Sequence, residues 1–103
     1  MSTKAYEEHK KKELRLVLLR LLSEENGKQA NSSRLHAGLQ FLRIYVERHE
    51  VIEALRFLQT HQLVELEQLS EFSGELYGAQ LRSRGMDVVH GRLTVDGVLD
   101  VTR

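Results

Sequence analysis

The sequence predicts a mainly helical α+β fold, and three observations carry that expectation. Apolar residues recur at helical spacing through the first 61 positions, two short alternating segments follow between residues 63 and 81, and proline is absent from all 103 residues. The length fits one domain, because independent domains run from about 50 to 250 residues. An apolar fraction of 41% is enough for one core. No repeat, low-complexity tract or Gly/Ser linker divides residues 1–103, which are therefore read as a single domain.

The first helix is predicted over residues 3–25, because Leu14, Val17, Leu18, Leu21 and Leu22 recur at i, i+3, i+4, i+7 and i+8. Asn26-Gly27 supplies its stop. Leu16 and Leu19 fall on the other side of that stripe, and this surplus apolar surface is read as part of a homodimer interface. A second helix starts at a cap on Ser32 or Ser33 and runs to about Leu42, burying Leu35, Leu39 and Leu42. Arg43 to Val46 reads as a short extended or turn segment. A third helix over residues 47–61 buries Val51, Ala54, Leu55 and Leu58, and shows His49, Glu50, Glu53 and Arg56 on its other face.

Two strands are predicted at residues 63–69 and 76–81, with a hairpin loop over residues 70–74. Residues 82–90 read as a fourth helix that stops at Gly91, although Gly85 is a poor helix former. In the tail, Leu93, Val95, Leu99 and Val101 alternate with Thr94, Asp96, Val98 and Asp100 in a largely period-2 pattern, which predicts a strand. Such a strand needs a sheet edge, so Val95 and Leu99 join Leu16 and Leu19 as expected dimer contacts, with residues 93–103 as a dimerisation tail. Helix, helix, turn, helix, hairpin, helix is the order of a winged helix-turn-helix, whose third helix is the candidate groove reader and whose hairpin is the wing.

Composition excludes more than it selects. There is no cysteine, which removes disulfides, thiolate metal sites and cysteine nucleophiles. No glycine-rich phosphate loop, nucleophile elbow or recognisable carboxylate pair is present, so no catalytic residues are expected. Among five histidines, His90 pairs with Asp87 at i and i+3, and two such groups without a thiolate do not make up a metal site, so neither a metal nor a cofactor is expected. The longest apolar run, Leu16 to Leu19, is far too short to span a bilayer, and the charged start lacks the apolar region of a signal peptide. The expectation is a cytoplasmic protein without a membrane partner.

Charge is balanced at 15 basic against 15 acidic residues but unevenly placed. Residues 1–30 hold seven basic and five acidic groups, whereas residues 63–103 hold four and seven. For a duplex DNA partner, the third helix offers Arg48, His49, Arg56 and Gln59 as base-edge readers. Ser33 and Arg34 would hold phosphates at the start of the second helix. The hairpin is unfavourable for DNA, because Glu65, Glu67, Glu71 and Glu75 stand there without a lysine or arginine. Lys10-Lys11-Lys12 is the densest basic run, and Glu7, Glu8 and Glu13 flank it at ion-pairing spacings.

Several segments taken together resemble a family of small winged-helix proteins of Mu-like phages and prophages, often labelled ArsR-like transcriptional regulators. The matching residues are Leu18-Leu19-Arg20-Leu21-Leu22, Ala30-Asn31-Ser32-Ser33, Leu55-Arg56-Phe57-Leu58 with Leu63-Val64, and Arg84-Gly85-Met86-Asp87-Val88 with Gly91-Arg92 and Val95-Asp96-Gly97-Val98. The sequence departs from that family at Gln62, where glycine is more frequent, and in a tail without proline. The resemblance implies a DNA-binding regulator acting as a homodimer. The charge pattern supports a competing expectation, a winged-helix adaptor that binds another protein instead of DNA.

Overall fold

The computed structural model of the chain describes residues 3–69 and 75–101. Helix α1 spans Thr3–Glu24, strand β1 Gln29–Asn31, α2 Ser32–Phe41, α3 Arg48–Thr60, β2 Val64–Gln68, β3 Tyr77–Leu81 and α4 Ser83–Val89. The fold is α+β, with four α-helices and a three-stranded antiparallel sheet in the order β1-β3-β2 among the described residues. The hairpin loop expected at residues 70–74 lies outside the described residues.

Helix α1 has two halves of different character. From Thr3 to Glu13 every residue is exposed, whereas Leu14, Leu16, Leu18, Leu19 and Leu22 are buried. Its exposed half is held by local contacts: Lys10 Nζ lies 3.2 Å from Glu7 and 4.7 Å from the centre of the Tyr6 ring. The helix ends at Glu24; Glu25 is extended, and Gly27 takes a φ of 69° in the 3-10 turn over Asn26–Lys28, a conformation that glycine enters at little cost.

The dimer face drawn from Leu16 and Leu19 is corrected by their position. Leu16 is 3% and Leu19 0% exposed, both within the chain's own core. Val17 and Leu21, assigned to the buried stripe, are only partly buried. Leucines line α1 on nearly all sides because its second half runs through the middle of the fold, with α2, α3, α4 and the sheet packed around it. The surplus apolar surface is thus covered within one chain.

The tail is the second correction. Residues 93–101 form no strand; they fold back over α1, where Leu99 N–H donates to Lys12 O at 3.2 Å. A turn at Asp96-Gly97 breaks the expected alternation, with Val98 N–H donating to Val95 O at 3.0 Å. Val95 and Val98 are buried and Leu99 packs against the same core, so Val95 and Leu99 cover their own chain instead of reaching for a partner's edge. Arg15 fastens the turn: its Nη1 donates to Gly97 O at 2.9 Å and its guanidinium lies 3.7 Å from the centre of the Phe57 ring. Burial there lowers the Arg15 pKa from its ordinary value.

Smaller differences have local causes. The cap of α2 is Asn31, whose Oδ1 accepts from Arg34 N–H at 2.8 Å, and not Ser32 or Ser33. Ser32 is instead buried, and its Oγ accepts from Tyr77 N–H at 3.2 Å. Leu42, expected to be buried, is 52% exposed. Gln62 follows α3 in the left-handed conformation, φ 62°, which explains why glycine suits that position. Gly85 belongs in α4 for another reason: a Cβ there would stand 2.3 Å from Leu63 O and 2.7 Å from Leu81 Cδ1. The absent side chain lets α4 close on the start of the β2–β3 hairpin.

Candidate nucleic-acid interface

Helix α3 is amphipathic, and its start is fixed by its own carboxylates. Glu47 N–H donates to Glu50 Oε2 at 2.7 Å, satisfying a backbone donor that the first turn leaves open. Val51, Ile52, Ala54, Leu55 and Leu58 are buried beneath it. That packing leaves Arg48, His49, Glu50, Glu53, Arg56 and Gln59 exposed.

Arg48 and Arg56 flank Ile52 at i−4 and i+4, so all three lie along one side of the helix. Ile52 between them is 4% exposed, while both arginines stay exposed. Both arginines reach the start of β3. Arg56 Nη2 donates to Glu75 Oε2 at 2.8 Å and to the Tyr77 hydroxyl at 2.7 Å. The same hydroxyl donates to Glu75 Oε2 at 3.3 Å, and Arg48 donates to the backbone oxygen of Glu75. These contacts with Tyr77 and Glu75 raise the Arg56 pKa above its ordinary value, and the guanidinium stays charged. Through Tyr77 N–H and Ser32 Oγ the cluster continues to the first residue of α2.

The expected site residues therefore divide. Arg48 and Arg56 are brought together by Glu75, whereas Arg34 pairs separately with Glu25 at 2.8 Å, which raises its pKa. Ser33 is exposed beside Arg34 in the first turn of α2. His49 is exposed on α3, and Gln59 faces an open cleft of about 690 Å³ on the sheet, with Gln29, Asn31, Glu65 and Glu67. The sequence reading missed Tyr77 altogether and treated Glu75 only as a repulsive charge. Each lies across a hairpin from the arginines, and no spacing rule along the chain connects them.

No grouping of three or more His, Asp or Glu side chains suited to a metal ion occurs among the described residues. Asp87 is held by Arg92 at 3.1 Å, while His36 and His61 bond to the backbone oxygens of Val46 and Phe57. Among the same residues, no helix is long and apolar enough to cross a membrane.

Apolar side chains are exposed elsewhere, at the connection between α2 and α3. Phe41 is 88%, Leu42 52% and Tyr45 72% exposed. Arg43 stands among them with a φ of 62°.

No family model matches the chain, and no solved structure matches it. It is similar to the uncharacterized protein gp26 of Escherichia phage Mu, with 40% identity over 84 residues that cover 82% of each chain. A shared sequence of that extent includes most of the core and the α3 region, and the chain belongs to the family of this phage protein.

Proposed function

We propose that the chain is a winged-helix protein that binds double-stranded DNA as a transcriptional regulator of a phage or prophage. The observation that carries the reading is the exposed side of α3, where Arg48, His49 and Arg56 stand beside an antiparallel hairpin. The order α1, β1, α2, α3, β2, β3, with β1 paired to β3, supports the winged-helix assignment. Kinship with a phage protein supports the setting. In this reading Arg48 and Arg56 approach phosphates, His49 reaches base edges, and Ser33 and Arg34 contact the backbone at the start of α2. The few basic groups on this surface give a shallower salt dependence than that of a strongly basic repressor.

Selection from a random duplex library at low ionic strength tests the proposal. Enrichment of a motif supports it, and a palindrome with half-sites about one helical turn apart would indicate a symmetric dimer. No enrichment, with no detectable duplex binding even at low salt, sinks it.

A second reading, a protein-binding adaptor, draws on the exposed Phe41, Leu42 and Tyr45. Aromatic residues beside an arginine are frequent anchors of protein interfaces. With α1 covered, the same residues are where a homodimer would have its apolar contact. Sedimentation of Phe41→Ser/Tyr45→Ser against the unaltered chain tests that version: an unchanged monomer in both removes it.

A further inference from the structure

We propose that Arg48, Arg56 and the Tyr77 hydroxyl form a phosphate-binding site, and that the Glu75 carboxylate occupies it in the free protein. The inference rests on the DNA reading only for the source of the phosphate. Its basis is how the cluster is filled. One carboxylate oxygen accepts from both Arg56 and Tyr77, and the backbone oxygen of the same residue accepts from Arg48. The non-bridging oxygens of a phosphodiester present the same kind of acceptor to guanidinium donors, with the same sign of charge.

The site is accessible and its occupant is easily displaced. The Arg56 and Glu75 side chains are 53% and 51% exposed, so an external anion reaches them without opening the core. Exposed ion pairs contribute little, and Glu75 can therefore leave at small cost. Behind them the positions are firm, because Val51, Leu55 and Leu58 anchor α3 in the core and Ser32 Oγ holds the backbone of Tyr77. Arg34 does not form a comparable site. It stands on another element and pairs with one carboxylate, Glu25.

Glu75 thus reduces affinity for anions in general and leaves the site to ligands that bring several phosphates at once. Such a device favours a polyanion over free phosphate, since one displaced carboxylate is offset by many contacts only on an extended ligand.

The experiment compares the unaltered chain with Glu75→Gln, which keeps the size of the side chain and removes its charge. Inorganic pyrophosphate and a random-sequence duplex are titrated separately at low ionic strength, and the Nε–H resonances of the arginines are followed by NMR. The expected result is about fivefold tighter pyrophosphate binding by the variant, with the Arg56 resonance moving, and loss of the gain in Glu75→Gln/Arg56→Ala. For the duplex, the salt slope should steepen by about 0.9, the value for one added phosphate contact. Pyrophosphate affinity that is unchanged in Glu75→Gln overturns the inference, and duplex binding by both proteins would then leave the DNA reading intact. Tighter pyrophosphate binding without duplex binding by either protein supports the site and removes DNA as the phosphate source.

Discussion

The two sides of the molecule are held by opposite means. Around the second half of α1, closure is apolar and tight: Leu18, Leu19 and Leu22 are fully buried, the tail folds across the helix, and α4 approaches so closely that only glycine fits at residue 85. Between α3 and the hairpin, closure is polar and half exposed, made by two arginines, a tyrosine and one glutamate. The first kind of contact resists removal of a single methyl group, because a packed interior cannot refill the space. The second is replaced by water or by another anion at little cost. Stability is concentrated on one side, and the capacity to exchange partners is left on the other.

The largest effect should come from Leu19→Ala, which removes a fully buried side chain. A loss of about 3 kcal/mol in chemical denaturation is expected. A loss near zero, with a change in sedimentation, would break the comparison and restore Leu19 to a subunit interface. Gly85→Ala should cost about 2 kcal/mol, because its Cβ would meet the backbone of Leu63. If that variant melted like the unaltered chain, the close approach of α4 would be wrong.

Gln62→Gly should act in the other direction. Relieving a left-handed φ of 62° raises stability, offset in part by the greater freedom of glycine in the unfolded chain. A net gain of about 0.5 kcal/mol is expected from the same denaturation measurement. The smallest effect belongs to Glu75→Gln, whose melting temperature should stay within about 2 °C of the unaltered chain. A larger fall would make Glu75 a brace and place both sides of the molecule in one class.

These differences also explain what could be read from the sequence. The bounds of α3 were legible because Val51, Ala54, Leu55 and Leu58 repeat at helical spacing, and the end of α1 was legible from Asn26-Gly27. Strand β1 was not, since its three residues offer only Ala30 as an apolar member, and pairing with β3 is what defines it. The tail misled for a physical reason. Alternation of Leu93, Val95, Leu99 and Val101 looks like a strand, but the turn at Gly97, with a φ of 90°, lets Val95 and Val98 enter the core three positions apart. A Cβ at Gly97 would lie 2.4 Å from Phe57 Cζ, a contact visible only once α3 and the tail are in place.

The candidate site was half legible by the same logic. Arg48 and Arg56 follow from the periodicity of one helix, which sequence spacing records directly. Their partners, Glu75 and Tyr77, stand 19 and 21 residues after Arg56 at the start of β3, and only the fold places them against the arginines. Counting charge along the hairpin does not record that Glu75 is paired, because its carboxylate meets the Arg56 guanidinium only once the hairpin lies against α3.

Glu65 and Glu67 have a different consequence, one that concerns the behaviour of the protein in a crowded solution. They lie on β2, which pairs only with β3 and so leaves its other edge open among the described residues. An open edge offers unpaired backbone groups to any second strand, and a flat, apolar one invites chain-to-chain pairing and fibrous aggregates. Here Glu65, Glu67 and Gln68 are all exposed along the five-residue strand. Two copies approaching edge to edge would bring like charges together, so these acidic residues guard the sheet against growing by one strand at a time.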